Sequence, residues 1–232
     1  MRTLAIDIGG TGLKAAVLDG AGAPMSDRIR MPTPVGAAPA EIVAVLAKFV
    51  RELPDHDRVA VGFPGMVRDG IVRTAPNLGN AGWAGFPLAA ALADALHRPV
   101  RVANDADVQG LAVIAGQGLE MVVTLGTGFG TALYANGELC PHLELAQHPF
   151  RRGETYDEQL GNAARKAVGH AKWQRRVLKA IAQLRVLTNF DHLYIGGGNA
   201  KKLECALPAD VSVVDNAAGV RGGAFLFGDA AR

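Results

Sequence analysis

The stretch that decides the fold of this chain reads Thr124-Leu125-Gly126-Thr127-Gly128-Phe129-Gly130-Thr131-Ala132-Leu133 and lies just past the middle of the sequence. An apolar run stands on each side of a glycine turn, and this pattern predicts a strand, a tight turn and a second strand. Because glycine has no Cβ, the backbone amides of such a turn stay open to a ligand. The stretch therefore predicts a β-hairpin whose turn can bind a phosphate group.

The same pattern occurs near the N-terminus, where the chain reads Ala5-Ile6-Asp7-Ile8-Gly9-Gly10-Thr11-Gly12-Leu13-Lys14-Ala15-Ala16-Val17-Leu18. When the two copies are aligned, Gly10-Thr11-Gly12 falls on Gly126-Thr127-Gly128. One loop of this kind is weak support for phosphate binding. Two copies, one near the start and one past the middle, predict two related halves that face a common ligand.

Composition excludes several classes of protein. The chain has 232 residues, of which 49% are hydrophobic, so it can bury the core of one large domain or of two small lobes. Its net charge is +2, so the chain as a whole is not expected to bind polyanions, and its two cysteines are too few for a disulfide scaffold. No signal peptide precedes the first strand, and no apolar run approaches the roughly 20 residues of a membrane helix. We therefore expect a cytoplasmic protein without a membrane partner.

Apolar periodicity predicts strands that alternate with helices, which is typical of the α/β class. A hairpin at the head of each half makes both sheets mixed rather than purely parallel. The predicted strands, beside those of the central hairpin, are residues 3–8, 13–18, 27–31, 59–63, 100–103, 192–195 and 211–214. The predicted helices are residues 40–53, 86–97, 106–115, two helices within 156–188 that break near Gly169, and a last helix over 217–227.

The two hairpins carry a family resemblance. Asp7-Ile8-Gly9-Gly10-Thr11-x-x-Lys14, together with the central stretch, resembles the superfamily of sugar kinases, actin and heat-shock chaperones. Within it the chain resembles the ROK family, and most of all the branch of polyphosphate-type glucokinases. Four further pieces follow in the family's order along the chain, and they are Pro64-Gly65, Pro76-Asn77-Leu78, Asn104-Asp105 and Ile195-Gly196-Gly197-Gly198.

The resemblance implies an actin-like ATPase (ribonuclease H-like) fold, with mixed sheets flanked by helices and with sugar and phosphoryl donor in the cleft between two lobes. Residues 1–105 would form the smaller N-terminal lobe, on which the terminal helix at 217–232 would pack back. Residues 106–216 would form the larger C-terminal lobe with the second hairpin and the donor site. The resemblance also implies a Mg²⁺ cofactor and a homodimer.

Asp105 comes just after a predicted strand and just before a predicted helix. From local sequence alone, a helix N-cap is the favoured interpretation. The family's catalytic Asp falls on Asp105, which implies a general base that accepts the proton of the attacking sugar hydroxyl. The neighbouring Asn104 would then offer its amide to a second sugar hydroxyl.

The first hairpin would bind phosphate and metal. Asp7 is either a buried turn acid or, as the resemblance implies, a carboxylate that holds Mg²⁺ through water. Gly9 and Gly10 let the backbone approach phosphate oxygens, and Thr11 adds a hydroxyl. Lys14 would neutralise phosphate charge, although a solvated lysine at a strand edge explains it equally well.

The second hairpin would bind the donor from the other lobe, through Gly126, Thr127 and Gly128. The segment Gly196-Gly197-Gly198-Asn199 follows a predicted strand and opens a helix. A plain strand-to-helix turn explains this segment. In the family, the loop lies along the nucleotide or along the equivalent part of another donor.

Two further residues would bind sugar. Asn77 lies in a loop rich in proline and glycine, where Asn is commonly a turn former, but the family places a sugar-binding Asn there. Glu144 is either a surface glutamate or the Glu of the family's Glu-Leu-Gly-His segment. Here that segment has Ala146 and Gln147 in place of Gly and His, so the His contact is missing unless His148 replaces it.

Zinc is not expected. Many ROK kinases carry a Cys-x-Cys-Gly-x-x-Gly-Cys cluster after this segment, and this chain has none. Cys140, His142 and His148 are too loosely spaced to form a structural zinc site.

The resemblance implies a glucokinase that transfers a phosphoryl group from polyphosphate, ATP or both to the 6-hydroxyl of glucose. One alternative is an ATP-dependent kinase for another hexose, such as mannose or an amino sugar. Another is a non-catalytic sugar-binding ROK protein. ROK repressors carry a DNA-binding segment ahead of the kinase-like part, and Asp7 leaves no room for one, so no nucleic-acid partner is expected.

Positive charge is concentrated in residues 151–202, where eleven Lys and Arg stand against four Asp and Glu, a net charge of +7 that leaves −5 for the rest of the chain. Lys172, Arg176 and Lys179 are spaced so that they share a helix face turned away from Trp173. This face is either an ordinary solvated surface or an electrostatic track that leads polyphosphate to the second hairpin. Binding to such a track would weaken steeply with salt.

Overall fold

The computed structural model of the chain describes residues 1–76, 78–79, 81–215 and 218–228. They divide into two compact units. The first unit comprises residues 1–112 together with residues 218–228, and the second comprises residues 113–215. Among the described residues, no helix is both long enough and apolar enough to cross a membrane.

The described residues of the first unit form seven strands and three α-helices before the chain passes to the second unit. The strands are β1 (Thr3–Ile8), β2 (Gly12–Leu18), β3 (Ile29–Pro32), β4 (Arg58–Phe63), β5 (Val67–Arg68), β6 (Ile71–Val72) and β7 (Val100–Asn104). The helices are α1 (Pro39–Phe49), α2 (Leu88–Leu96) and α3 (Asp105–Leu111).

A five-stranded sheet in the order β3-β2-β1-β4-β7 forms the centre of the first unit. The pairs β3–β2 and β2–β1 are antiparallel, whereas β1–β4 and β4–β7 are parallel. Because β1, β4 and β7 are parallel, their carboxyl ends lie at the same edge of the sheet. That edge carries Asp7, Phe63 and Asn104, each at or next to the end of its strand.

The second unit repeats this arrangement. Its strands are β8 (Leu119–Leu125), β9 (Phe129–Ala135), β10 (Glu138–Leu139), β11 (Pro149–Arg151), β12 (Glu154–Thr155), β13 (His192–Gly196) and β14 (Val211–Val213). Its helices are α4 (Tyr156–Leu160), α5 (Asn162–Val168) and α6 (His170–Thr188). The main sheet has the order β10-β9-β8-β13-β14, with two antiparallel pairs followed by two parallel pairs, as in the first unit. The duplication predicted from the glycine turns is therefore present in the strand order, and the predicted α/β class with mixed sheets is confirmed.

The apolar core of the second unit lies under α6. Trp173, Val177, Ala180, Ile181 and Leu184 are buried on one face of this helix, as their spacing predicts. The two predicted helices over 156–188 are three, because the chain breaks a second time at Gly161. At the break, Asn162 N–H donates to the carbonyls of Gly126 and Thr127, and a Cβ at Gly161 would lie 2.7 Å from Thr127 O.

The end of the described chain returns to the first unit. The helix predicted over 217–227 is a single turn, α7 (Ala218–Arg221), followed by a 3₁₀ turn over Gly222–Phe225, while Ala217 lies outside the described residues. The chain tightens there because Gly222 and Gly223 pack closely on the first unit. A Cβ at Gly223 would lie 2.8 Å from the Cβ of Ala5.

The segment that joins the units begins where α3 ends. The predicted helix over 106–115 stops at Leu111, and α3 packs within the first unit, against β4 and the returning 3₁₀ turn. The division of the chain into two lobes after residue 105, which was inferred from the sequence, stays a prediction. The backbone N–H groups of Ala115, Gly116 and Gln117 donate to the carboxylate of buried Glu120. The linking segment is therefore anchored to the second unit before β8 starts.

Candidate active site

The first hairpin forms the tight, open turn that its glycines predict. Gly9 N–H donates to the carbonyl of Gly12 at 2.9 Å, and a Cβ at Gly9 would lie 2.8 Å from that same oxygen. The Thr33 hydroxyl donates to Gly9 O at 2.5 Å and holds the turn from the side. Gly10 and Thr11 are exposed at its tip. The backbone can thus be approached by an anion at Gly10 and Thr11.

Asp7 and Lys14 lie directly opposite each other in β1 and β2. Lys14 Nζ is 2.7 Å from Asp7 Oδ2, and the Asp7 side chain is 20% exposed. Lys14 is therefore paired with the carboxylate of Asp7 at the base of the hairpin. The pair places one negative and one positive group beside the phosphate-type turn.

Asn104 and Asp105 occupy the junction of β7 and α3. The interpretation of Asp105 as the N-cap is wrong, since Asn104 is the N-cap and its Oδ1 accepts from Ala106 N–H at 2.8 Å. Asn104 is buried and its Nδ2 donates to Gly65 O at 3.1 Å. The Asn104 side chain therefore fixes the junction from inside.

Asp105, in contrast, is exposed in the first turn of α3, where its Oδ1 accepts from Ala106 N–H at 2.8 Å. Gly62 in β4 lies beside this turn, and a Cβ there would make an ordinary van der Waals contact, 3.5 Å from the Cα of Asp105.

Asn77, which is predicted to bind sugar, lies outside the described residues. The loop on either side of it is anchored by Leu78, which is 7% exposed, and by the close packing of Gly65 on the backbone of Thr74. Its placement as a sugar ligand stays a prediction.

The second hairpin is held by other elements of its unit. Gly126 N–H donates to Gly128 O at 3.0 Å and closes the turn. Asn162 N–H donates to the carbonyls of Gly126 and Thr127, each at 3.1 Å. Phe129 N–H donates to Asp157 Oδ1 at 2.7 Å. The turn is thus supported by the start of α4 and the start of α5.

The loop after β13 supports the same hairpin. Gly197 has φ +89°, and a Cβ there would lie 2.6 Å from Leu125 N. Asn199 is buried and its Nδ2 donates to Gly126 O at 3.0 Å, while Lys202 Nζ donates to Asn199 Oδ1 at 3.2 Å. The structure therefore brings together the two segments predicted to bind the donor, Gly126–Gly128 and Gly196–Asn199.

Three supporting residues were missed by sequence analysis, namely Asp157, Gly161 and Asn162. Two local signals point to them. Thr155 and Glu158 form a capping box, which marks the start of a helix at the residues between them. The Gly161-Asn162 pair is a turn signal between two helical stretches.

Glu144 precedes a 3₁₀ turn over Leu145–Gln147, and its side chain is 31% exposed. His142 Nε2 lies 3.8 Å from Glu144 Oε2, and the side chain of His142 is 7% exposed. His148, suggested above as a replacement for the family's His, is exposed, with its ring 6.2 Å from that of Tyr156. In the described segment, His142 is the histidine that neighbours Glu144.

Metal binding would rest on single carboxylates. Within the part of the chain that is described, no three or more His, Cys, Asp or Glu side chains are grouped so that they could hold a metal. Mg²⁺ is compatible with such a site, because it keeps most of its waters and is held by one or two carboxylates together with substrate phosphates. Asp7, beside the first phosphate-type turn, fits that description.

The two main sheets have the same strand order, and each contains a hairpin with a glycine-rich turn. These features define the actin-like ATPase fold. Over 96% of each chain the structure aligns, with a TM-score of 0.84 and 30% identity, to the crystal structure of an inorganic polyphosphate/ATP-glucomannokinase from Arthrobacter sp. strain KM. The chain belongs to the ROK family, whose model matches residues 3–141.

Curated relatives agree with this assignment. A polyphosphate glucokinase from Mycobacterium tuberculosis (strain ATCC 25177 / H37Ra) is 30% identical over 236 residues, which span 94% of this chain and 88% of that protein. An N-acetylmannosamine kinase from Escherichia coli (strain SE11) is 38% identical over 146 residues, or 60% of this chain and 49% of that protein.

Proposed function

We propose that this chain is a sugar kinase, and specifically a glucokinase that transfers a phosphoryl group from polyphosphate, ATP or both to the 6-hydroxyl of glucose. The observation that carries the proposal is the exposed carboxylate of Asp105 at the end of β7, on a junction fixed by buried Asn104. The polyphosphate glucokinase and the polyphosphate/ATP-glucomannokinase to which the chain is similar support the substrate and the donor.

The proposed general base belongs to the first unit. Asp105 acts as general base, and it takes the proton of the 6-hydroxyl as that oxygen attacks the terminal phosphorus. Asn104 keeps Asp105 in place through its bonds to Gly65 and Ala106. Asn77 and Glu144 are proposed to bind other hydroxyls of the sugar.

The donor side belongs to the second unit. The amides of Gly126, Thr127 and Gly128 are proposed to bind donor phosphates, with Gly196–Asn199 lying along the rest of the donor. The bond between the terminal phosphorus and its bridging oxygen breaks. ADP leaves when ATP is the donor, and a chain shorter by one phosphate leaves when polyphosphate is the donor.

The first hairpin completes the proposal. Gly9, Gly10 and Thr11 are proposed to contact the transferred phosphoryl group, and Lys14 to offset its charge. Mg²⁺, held through water by Asp7, would neutralise charge that develops on the phosphate oxygens.

Another hexose is the second candidate. The N-acetylmannosamine kinase that matches 60% of this chain at 38% identity supports an amino sugar as acceptor. The test is an activity matrix of ATP and polyphosphate against glucose, mannose and N-acetylmannosamine. Turnover with glucose and polyphosphate supports the proposal, turnover with N-acetylmannosamine alone replaces it, and sugar binding without turnover would show a non-catalytic protein.

Assembly and location follow from the family alone. We propose a homodimer in the cytoplasm. Light scattering of the purified chain tests the first part, since a monomeric mass at micromolar concentration would contradict it.

A further inference from the structure

Arg151 and Arg176 of the second unit contact one buried residue outside the glycine turns, and exposed Arg152 follows Arg151 in the chain. Arg151 ends β11, Arg152 follows it in the turn to β12, and Arg176 lies on α6. Arg151 Nη1 is 3.4 Å from Gln159 Oε1, and Arg176 Nη1 donates to Gln159 O at 3.2 Å. Gln159 is 6% exposed, so one buried residue of α4 holds two of the three guanidinium groups. These three residues are the arginine cluster.

Lys172 and Lys179 are exposed on α6, and Lys179 Nζ lies 5.7 Å from the centroid of the Phe150 ring in β11. Arg176 is only partly exposed and donates to the Gln159 carbonyl of α4. The shared helix face of Lys172, Arg176 and Lys179 as a polyphosphate track stays a prediction.

Across the described residues, none of the three arginines forms an ion pair with a carboxylate. Burial lowers the pKa of Arg176, the charges of Arg151 and Arg152 lower it further, and the charge of Glu154 raises it. Arg151 and Arg176 are partly buried, whereas Arg152 is exposed. Like charges held close together are unfavourable, and a bound anion would relieve them.

The turn between β11 and β12 does not require an arginine at position 152. Arg152 has φ +56° and Gly153 has φ +79°, so both residues of the two-residue loop between β11 and β12 have a left-handed backbone conformation. Such turns favour Asn-Gly, Asp-Gly or Gly-Gly, because those residues adopt positive φ at low cost. The geometry of the turn therefore gives no reason for a guanidinium at this position.

The arginine cluster and the donor turn, which is Gly126–Gly128 of the second hairpin, are both held by residues of α4. Asp157 accepts from Phe129 N–H, next to Gly126–Gly128, and Gln159 lies two residues further along the same helix. The ring of Tyr156 stacks on Phe129 at 5.4 Å and lies 4.8 Å from that of Phe150 in β11. The hairpin of β11 and β12 is thus packed against the strand that follows the donor turn.

We propose that Arg151, Arg152 and Arg176 form a phosphate subsite for a long inorganic polyphosphate, and that they bind phosphates behind those held at Gly126–Gly128. The proposal rests on the function proposed above. Guanidinium groups suit this role, since each can donate two parallel hydrogen bonds to one phosphate. Residues Gly126–Gly128 bind the end of the polyphosphate, and the arginine cluster binds its interior phosphates.

The test is the variant R152N. Asparagine adopts positive φ at low cost, so R152N should unfold at the same temperature as the natural protein or at a higher one. By titration calorimetry, we expect long-chain polyphosphate to bind the full-length R152N variant about tenfold more weakly than it binds the natural protein. The slope of log K against log salt should be smaller in magnitude by about one for the variant. R175Q is the matched control, because Arg175 is an exposed neighbour on α6.

The outcomes separate the subsite from the donor. Unchanged polyphosphate affinity in R152N would overturn the subsite, even if polyphosphate is the donor. An equal loss of ATP affinity would also overturn it, because the cluster would then belong to the nucleotide site. If the natural protein uses only ATP as donor and R152N still loses polyphosphate binding, the donor assignment fails and the subsite stands.

Discussion

Lys14 Nζ lies 2.7 Å from Asp7 Oδ2, across the two strands that lead into and out of the first glycine turn. The pair therefore sets the charge at the base of a turn whose tip, Gly10 and Thr11, is exposed. In the proposed function, Asp7 would hold hydrated Mg²⁺ beside this positive charge, and Lys14 and Mg²⁺ would act together on the transferred phosphate.

Lys14→Met tests the role of that ammonium group. Because Lys14 is 43% exposed, we expect the free energy of unfolding to fall by less than about 1 kcal/mol. Loss of a charged hydrogen bond to phosphate costs about 1.5–3 kcal/mol, so kcat/KM for the donor should fall about tenfold or more. Lys48→Met, at an exposed position of α1, is the control. Donor kinetics within twofold of the natural protein would exclude the role.

Asp105→Asn tests the general base. Removal of a positioned base lowers turnover by ~10²–10⁴-fold, while glucose binding, measured by calorimetry, should largely survive. Asp94→Asn on α2 is the control, since Asp94 is an exposed acid of the same unit. Turnover of Asp105→Asn near that of the natural protein would remove Asp105 from the mechanism.

Asp157→Ala tests the support of the donor turn. It leaves Phe129 N–H without its acceptor, a loss of about 1.5–3 kcal/mol for a bond to a charged group. We expect faster hydrogen exchange of the Phe129 amide and a higher KM for the donor, with no change in glucose affinity. Asp157→Asn keeps an acceptor oxygen and should restore most of the protection. Equal exchange in all three proteins would show that the contact does not order the turn.

Glu120→Gln tests the anchor of the linking segment. The carboxylate accepts from three backbone N–H groups, at 2.6, 2.7 and 3.0 Å, and from the Tyr194 hydroxyl at 2.9 Å. Glutamine turns one acceptor oxygen into a donor that faces these groups, so stability should fall by about 1–3 kcal/mol. The measurement is the urea midpoint, with exposed Glu138→Gln as control. A midpoint equal to that of the control would contradict the expectation.

The sequence predicted the parts of the fold that depend on local pattern. Strand, glycine turn and strand repeat in both halves, and the structure confirms that duplication in the strand order of the two sheets. The buried face of α6 also follows from residue spacing alone. Such features are fixed within a few residues of chain, so they can be read without knowing what packs against them.

Features that depend on distant neighbours were missed. The helix break at Gly161 coincides with the bonds of Asn162 N–H to the carbonyls of Gly126 and Thr127, and Arg176 donates to the carbonyl of Gln159. The N-cap lies one residue earlier than local sequence predicts, because Asn and Asp are both good caps, and in the structure α3 begins at Asp105 with Asn104 Oδ1 accepting from Ala106 N–H. The site residues themselves stay predictions that the variants above can test.

The return of residues 218–228 to the first unit has a consequence for synthesis on the ribosome. Arg58 donates to Ala224 O at 3.1 Å, and both Arg58 and Arg101 stack on the ring of Phe227. Residues 113–215 are contiguous, so the second unit can fold as soon as it emerges. At about 5–20 residues per second, the first unit waits roughly 6–23 s after its residue 112 for the segment that completes it. The half of the protein that is made first is thus finished last, and during that interval it exposes the surface around Ala5 and Ala60 to other proteins in the cell.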